Sequence, residues 1–210
     1  MKVLTTILIA ILISGCKSTI EKNVLVLGDS LNAYAAVEIN SELLLANDAG
    51  YFPMSNAIPT TTFSRPERGS VYLTDRVRWI LAAHQVDDVV ISLGANDAVF
   101  NLDPTSRLSV EEMTAAAGTL IEGFAGRRII WILPHDGVRA TLHTESTLPD
   151  VLRAIRSAAA GRQNVRLISF DDYVTAHGTR LADVCLPGDI HLNNAGRALW
   201  AQMIHEALML

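Results

Sequence analysis

Short aliphatic runs alternating with segments of helical period are the feature that most constrains this chain. The runs are Asn23–Gly28, Val86–Leu93 with Val89, Val90 and Ile91 at its centre, Arg128–Leu133 and Val165–Ser169. In the first three the centres, Val24–Leu27, Val89–Ile91 and Ile129–Leu133, are continuously apolar instead of alternating apolar and polar. A strand of that kind is buried on both faces, which is the condition inside a parallel sheet covered by helices. The alternation therefore predicts an α/β chain with helices on both faces of a parallel sheet. In such sheets functional groups gather beyond the carboxyl ends of the strands. Gly28, Asp29 and Ser30 follow the first run, Gly94 to Asp97 follow the second, and Pro134 and His135 follow the third.

Between the runs, residues 31–45 read as a helix with Ala36, Ile39 and Leu43 on one face. A short extended piece is expected near 54–58, then a polar loop. Leu73, Val77, Ile80 and Leu81 have helical spacing. Residues 94–108 read as a long loop. Ser109 and Glu112 form a capping-box pattern that opens a helix to about Phe124. Residues 135–146 read as a second loop, and Thr147 opens a helix that Gly161 ends. A loop-rich stretch leads from Ser169 to His191. Residues 194–208 form the last helix, with Leu199, Trp200, Met203, Ile204 and Leu208 turned inward.

The N-terminus reads as a targeting segment. Lys2 precedes an apolar run from Val3 to Ile13, and Ser14, Gly15 and Cys16 follow. An aliphatic residue, two small ones and a Cys resemble the bacterial lipobox, in which cleavage precedes the Cys and its sulfur carries a diacylglycerol. The run is shorter than the roughly 20 residues that span a bilayer. The resulting division is a lipoprotein signal peptide at 1–15, a tether at 16–22 and one domain at 23–210. A simple membrane anchor or an ordinary secretory signal is the alternative. Lipidated Cys16 makes the membrane a partner and places the chain in the bacterial cell envelope. Lys17 after the Cys leans toward the outer membrane of a Gram-negative cell. Cys185 is then the remaining thiol and reads as a packing residue.

Three polar residues, two beyond strand ends and one ahead of the last helix, are candidates for chemistry. Ser30 stands between a Gly-Asp turn and a helix start, where Gly28 permits a tight turn. A hydroxyl there can attack a carbonyl while nearby N–H groups hold the oxyanion. The plain alternative is a helix N-cap. The Asn96 amide is a neutral donor for developing negative charge, or else forms a loop turn. His191 precedes the last helix and can take a serine proton if its other nitrogen is held. Asp189 is the nearest carboxylate. His135 is a candidate pocket-lining residue, and His143 and His177 read as solvated. No paired His or Cys spacing marks a metal site, and no glycine-rich phosphate loop appears, so no cofactor is expected. A formal charge of -5 with few aromatics gives no footprint for nucleic acid.

Together these residues resemble the SGNH (GDSL-type) hydrolase superfamily. The stretch from Gly28 to Leu31 resembles its first block, with Ser30 as nucleophile and Gly28 and Asp29 shaping the turn. Gly94 to Asp97 resembles the third, with Asn96 as oxyanion donor beside Gly94. Asp189 to Leu192 resembles the fifth, with His191 as base. The resemblance spans residues 23–210. It implies a flavodoxin-like three-layer α/β/α sandwich with a five-stranded parallel sheet of order 2-1-3-4-5, and ester hydrolysis through an acyl-enzyme. Two departures stand out. The family's Asp lies three positions before the His, where this chain has Gly188. Asp189 is favoured as the replacement, with Asp183 or a backbone carbonyl as alternatives. The second block's Gly is also missing, and Thr60 aligns with it as a third oxyanion donor alongside the Ser30 N–H and Asn96.

The expected activity is a carboxylic ester hydrolase acting on small or carbohydrate esters, with short acyl groups such as acetyl favoured by the small size of the chain. Fatty-acyl or lysophospholipid ester cleavage, acyl transfer, and a decayed envelope binding protein are the competing readings. A nucleotide-binding flavodoxin-like protein is more remote.

Overall fold

The computed structural model describes residues 22–45, 49–53, 62–65, 78–79, 81–83, 85–138 and 143–210. Five parallel strands form one sheet in the order β2-β1-β3-β4-β5: β1 Lys22–Gly28, β2 Ala49–Pro53, β3 Asp88–Ser92, β4 Arg128–Leu133 and β5 Val165–Ser169. This is the parallel α/β arrangement expected from the aliphatic runs. The helices with both ends among the described residues are α1 Ser30–Tyr34, α2 Ala36–Leu45, α3 Ala95–Phe100, α4 Val110–Glu122, α5 Leu148–Ala159, α6 Phe170–Ala176, α7 Leu181–Val184 and α8 Asn194–Met209, and residues 78–79, 81–83 and 136–138 are also helical.

The period of two along each strand sorts the core into two halves. Leu25, Leu27, Val89, Ile91, Ile129 and Trp131 face α3, α4 and α5. Val24, Val26, Val90, Ile130 and Ile132 face α1, α2, α6 and α8. Both halves are buried, which is why the centres of β1, β3 and β4 carry no polar alternation. At about 25 cal/mol per Å² of apolar surface removed from water, these two layers are the main stabilising contribution. At the amino end of the sheet, away from the candidate site, Asp88 and Arg128 are paired in register and joined by two hydrogen bonds of 2.9 and 2.7 Å.

Local signals act as read at several points. Ser109 Oγ accepts from the Glu112 N–H, and Glu112 returns the bond to the Ser109 N–H, so the capping box opens α4. Gly161 takes a φ of +74° just past α5, a conformation that favours glycine. Trp200, Met203, Ile204 and Leu208 are buried on α8, with Leu199 partly so.

Other expectations need correction. The helix read over 31–45 breaks at Ala35 into α1 and α2. The second strand is at Ala49–Pro53, ahead of the extended piece expected at 54–58. The loop read over 94–108 begins with a helical segment, α3. The stretch after β5 contains α6 and α7. Ser169 Oγ accepts from the Asp172 N–H, and Asp171 and Asp172 occupy the first turn of α6. That is a helix-start signal that sequence reading passed over. Residues 1–15, Cys16, the 54–58 piece, Thr60 and the helical positions Leu73, Val77 and Ile80 lie outside the described residues. Among the described residues no helix is long and apolar enough to cross a membrane.

Candidate active site

The carboxyl ends of β1 and β3 are neighbours, with Gly28 opposite Ser92. Ser30 therefore starts α1 beside the first turn of α3, which holds Asn96 as its second residue. The Asp29 N–H donates to the Ser92 carbonyl at 3.3 Å and continues the ladder one residue past the strand. Asp29 is the N-cap of α1 and accepts from the Leu31 N–H at 3.0 Å, so the cap is Asp29 and the Ser30 hydroxyl is left available.

Gly28 is needed for space. Its φ is not in the left-handed region, contrary to the unusual turn angles expected from sequence. A Cβ on Gly28 would lie 2.2 Å from Asn32 Nδ2. Asn32 occupies that room, donating to the Leu27 carbonyl at 3.2 Å and accepting from Trp200 Nε1 at 2.9 Å. These bonds tie the Ser30 turn to both β1 and α8. Gly94 does need conformational freedom: its φ is +129°, and a Cβ there would meet Pro134 at 2.8 Å.

His191 comes from the other side, on a turn between α7 and α8. The Asp189 N–H donates to the Leu186 carbonyl at 3.1 Å, with Pro187 and Gly188 between them and Gly188 at φ +69°. Pro second and a positive-φ Gly third match a type II turn. The Leu186 N–H donates to the His191 carbonyl at 2.8 Å, and Cys185 bridges Leu192. This small hairpin brings Asp189 and His191 to the same side. Asp189 Oδ1 lies 2.7 Å from His191 Nδ1 and also accepts the His191 backbone N–H at 3.2 Å. His191 Nε2 lies 3.0 Å from Ser30 Oγ.

The structure thus brings Ser30, His191 and Asp189 together in one chain of contacts. Asp183, the alternative carboxylate, is engaged by Arg180 through bonds of 2.9 and 2.7 Å. The one-residue displacement of the Asp is absorbed by the Pro187–Gly188 turn. Partial desolvation raises the Asp189 pKa, but bonds from the His191 N–H and ring outweigh it and hold the carboxyl below its ordinary value. An ionised carboxylate only accepts, so Nδ1 carries the proton and Nε2 is free to accept from the Ser30 hydroxyl. A serine so placed has an adjacent base whose developing charge is met by a carboxylate.

Asp97 had no role assigned from sequence, and Asp29 only that of shaping the turn. Asp97 is fully buried and receives the Phe63 N–H at 3.2 Å, the Ser64 N–H at 3.0 Å and the Ser64 hydroxyl. It anchors residues 62–65, which follow Thr60. Burial pushes its pKa up to about 6 despite the Ser64 and Phe63 donors. Asp29 is pushed up to about 7, chiefly by burial, with the Leu31 N–H opposing and the charge of Asp97 adding to the rise. His135, a candidate pocket-lining residue, is fully buried, while His143 and His177 are exposed. Cys185 is half-buried against the core, and desolvation, with Asp171 and Asp189 nearby, raises its thiol to about 11. A thiol so shifted is a poor nucleophile.

A model of the GDSL-like lipase/acylhydrolase family matches residues 26–199, a span that holds all three of these side chains. The chain belongs to that family. As a GDSL-like acylhydrolase it is a carboxylic ester hydrolase. Its fold is similar to that of a lipase/acylhydrolase from Enterococcus faecalis, with a TM-score of 0.67 at 19% identity over 89% of this chain and 95% of that one. It is also similar to an acetyl xylan esterase from Geobacillus stearothermophilus, with a TM-score of 0.65 at 16% identity over 88% and 93% of the two chains. An alpha/beta hydrolase from the metagenome of Lake Arreo in Spain gives a TM-score of 0.65 at 15% identity over 90% and 96%. No curated protein matches the chain.

Proposed function

We propose that this GDSL-like acylhydrolase is a serine esterase that works through an acyl-enzyme. The observation that carries the reading is the continuous contact from Ser30 Oγ to His191 at 3.0 Å and from His191 to Asp189 at 2.7 Å. Ser30 Oγ attacks the ester carbonyl while its proton passes to His191 Nε2. The Asp189 carboxylate meets the charge that forms on the imidazole. The Ser30 N–H, in the first turn of α1, and the Asn96 amide hold the oxyanion, and Thr60 supplies a third N–H. First-turn amides have no partner within their own helix, which suits them to this use. His191 then returns the proton to the departing alcohol. In the second half a water gives its proton to His191, attacks the acyl carbon, and Ser30 leaves with that proton restored.

The substrate we propose is a short acyl ester, such as acetyl, on a carbohydrate. Tyr34 supports this. Its ring packs against His191 with centroids 4.7 Å apart at 65°, yet the residue is 57% exposed. An exposed aromatic ring beside the base gives a sugar ring a surface to lie against. The similarity to an acetyl xylan esterase points the same way. Fatty-acyl cleavage is the second reading, favoured by the exposed apolar side chains of Val37 and Leu186. We further propose that residues 1–15 are removed as a lipoprotein signal and that the domain from residue 23 is held at the envelope through lipidated Cys16. The lipobox pattern supports this.

Hydrolysis of p-nitrophenyl acetate, butyrate and octanoate by the wild type beside Ser30→Ala tests the reading. Turnover is expected to fall by about 10,000-fold or more in the variant. Rates falling with chain length support the short-acyl substrate, and rates rising with it support the lipid alternative. Fluorophosphonate labelling of Ser30 separates an active or transferring enzyme from a binding protein, and equal activity in Ser30→Ala ends the mechanism. Labelling with palmitate in wild type and not in Cys16→Ala tests the anchor.

A further inference from the structure

We infer that His135 is a positioning residue that sets the place of His191 through the backbone carbonyl of Ile190. The inference rests on the proposed roles of Ser30, Asp189 and His191. His135 follows Pro134 at the end of β4 and has no exposed surface. Its Nε2 lies 3.1 Å from the Ile190 carbonyl oxygen, which can only accept. Its Nδ1 lies 3.1 Å from the Gly137 N–H, which can only donate. The two neighbours together select one neutral tautomer, with the proton on Nε2. Burial keeps this form, lowering the pKa to about 4 although the Ile190 bond opposes the fall. Phe170 meets the ring edge-on with centroids 6.2 Å apart. Gly137 leaves room for it, since a Cβ there would lie 2.7 Å from the imidazole.

Ile190 is the residue between Asp189 and His191. The bonds from Asp189 to Leu186 and from Leu186 to His191 are internal to the turn. Among the described residues, the bond from His135 is the one that ties the backbone of 186–191 to a residue at the end of the sheet. It fixes the peptide that leads directly into His191. A buried polar atom left without a partner is costly, and displacement of a catalytic group by about 1 Å can cost about 100-fold in rate. A Phe at this position would fill the same room and leave the Ile190 carbonyl bare. A Gln would present an amide N–H at a reach similar to Nε2, and an Asn would fall short.

The test uses the full chain and the variants His135→Phe, His135→Gln and His135→Asn, with Ser30→Ala as reference. Hydrolysis of p-nitrophenyl acetate is expressed per active site, the sites being counted by fluorophosphonate labelling taken to completion. We expect His135→Phe and His135→Asn to lower kcat per site by about 10-fold or more while KM stays within about twofold, and to slow the labelling of Ser30 in parallel. His135→Gln is expected to recover kcat to within about threefold of wild type. A merely structural role predicts fewer labelled sites with unchanged kcat at each, and that outcome overturns the inference. So does equal impairment of Gln and Asn variants, a comparison that stands if the Phe variant does not fold. Turnover that survives in Ser30→Ala instead overturns the esterase mechanism, and the labelling rates then distinguish the two failures.

Discussion

The two sides of the candidate site are built differently. On the Ser30 side everything is core: Ser30 is 7% exposed, Asp29 1% and Asn32 4%, and the turn sits at the end of an interior strand. Its position follows from packing, through Gly28, Asn32 and Trp200. On the His191 side the frame is a surface hairpin, and the Asp189 side chain is 44% exposed. Its position follows from a tight turn and a few hydrogen bonds. The contrast teaches that the nucleophile's orientation is set by core packing, whereas the base's orientation is set by a surface turn tied to the sheet through His135. Damage to the first side is expected to appear as lost stability, and damage to the second as lost rate in a protein that still folds.

After Ser30→Ala, the largest effect expected is at Asp189. Asp189→Ala should lower kcat by about 100-fold or more, because the imidazolium formed in the reaction loses its acceptor. Its melting temperature should remain close to wild type, since the side chain is partly solvated. A wild-type kcat would transfer the orienting role to another group and break the comparison on the base side.

Gly28→Ala should come next and act the other way. The new methyl collides with Asn32 in a packed layer, and overpacking of this kind costs about 1–3 kcal/mol. Urea denaturation should show the loss. Normal stability in this variant would mean that the Ser30 turn is looser than the core packing implies.

Gly188→Ala should be milder. A Cβ at Gly188 meets nothing within 4 Å, so the cost is the left-handed backbone alone, about 1–2 kcal/mol. Part of that strain should appear as a severalfold loss of kcat. Gly188→Asn should do less harm, because Asn tolerates this conformation better. Equal behaviour of the two variants would remove the turn from the explanation of the displaced Asp.

The most gradual effect concerns the slope of stability against pH. Folded Asp29 keeps its proton to about pH 7, whereas in the unfolded chain it titrates near its ordinary value of 3.8. Between those values the native state binds more protons, so this contribution to stability is complete below about pH 3.8 and is lost as the pH rises through 7. Asp29→Asn can keep the cap oxygen while removing the titration. Melting temperatures measured from pH 4 to 8 should fall less steeply in the variant. Asp97 loses its own contribution as the pH rises through about 6, and leaves a smaller slope behind. Identical slopes would show that the buried Asp29 carboxyl does not titrate in this range.

Much of this protein was legible in the amino-acid sequence because the relevant physics is local. Aliphatic runs such as Val24 to Leu27 and Val89 to Ile91 can only be buried on both faces, and that dictates a covered parallel sheet. The same pattern put Ser30, Asn96 and His191 beyond strand ends or at a helix start, where the structure has them. The helix at Phe170–Ala176 carried a local signal in Ser169 and the two Asp residues, and went unread for lack of a long apolar period. Other features had at most a weak local signal, and Asp189 stood out only as the carboxylate nearest to His191. Asp189 rather than Asp183 faces His191 because Gly188 turns the chain and Arg180 occupies the other carboxylate. His135 is a buried donor instead of a pocket wall, and Asp97 gathers the 62–65 segment, because residues distant in sequence present a carbonyl or N–H groups to them. Periodicity reports which face of an element is buried. Which polar atom meets which other depends on how separate elements dock, and only the tertiary structure decides that.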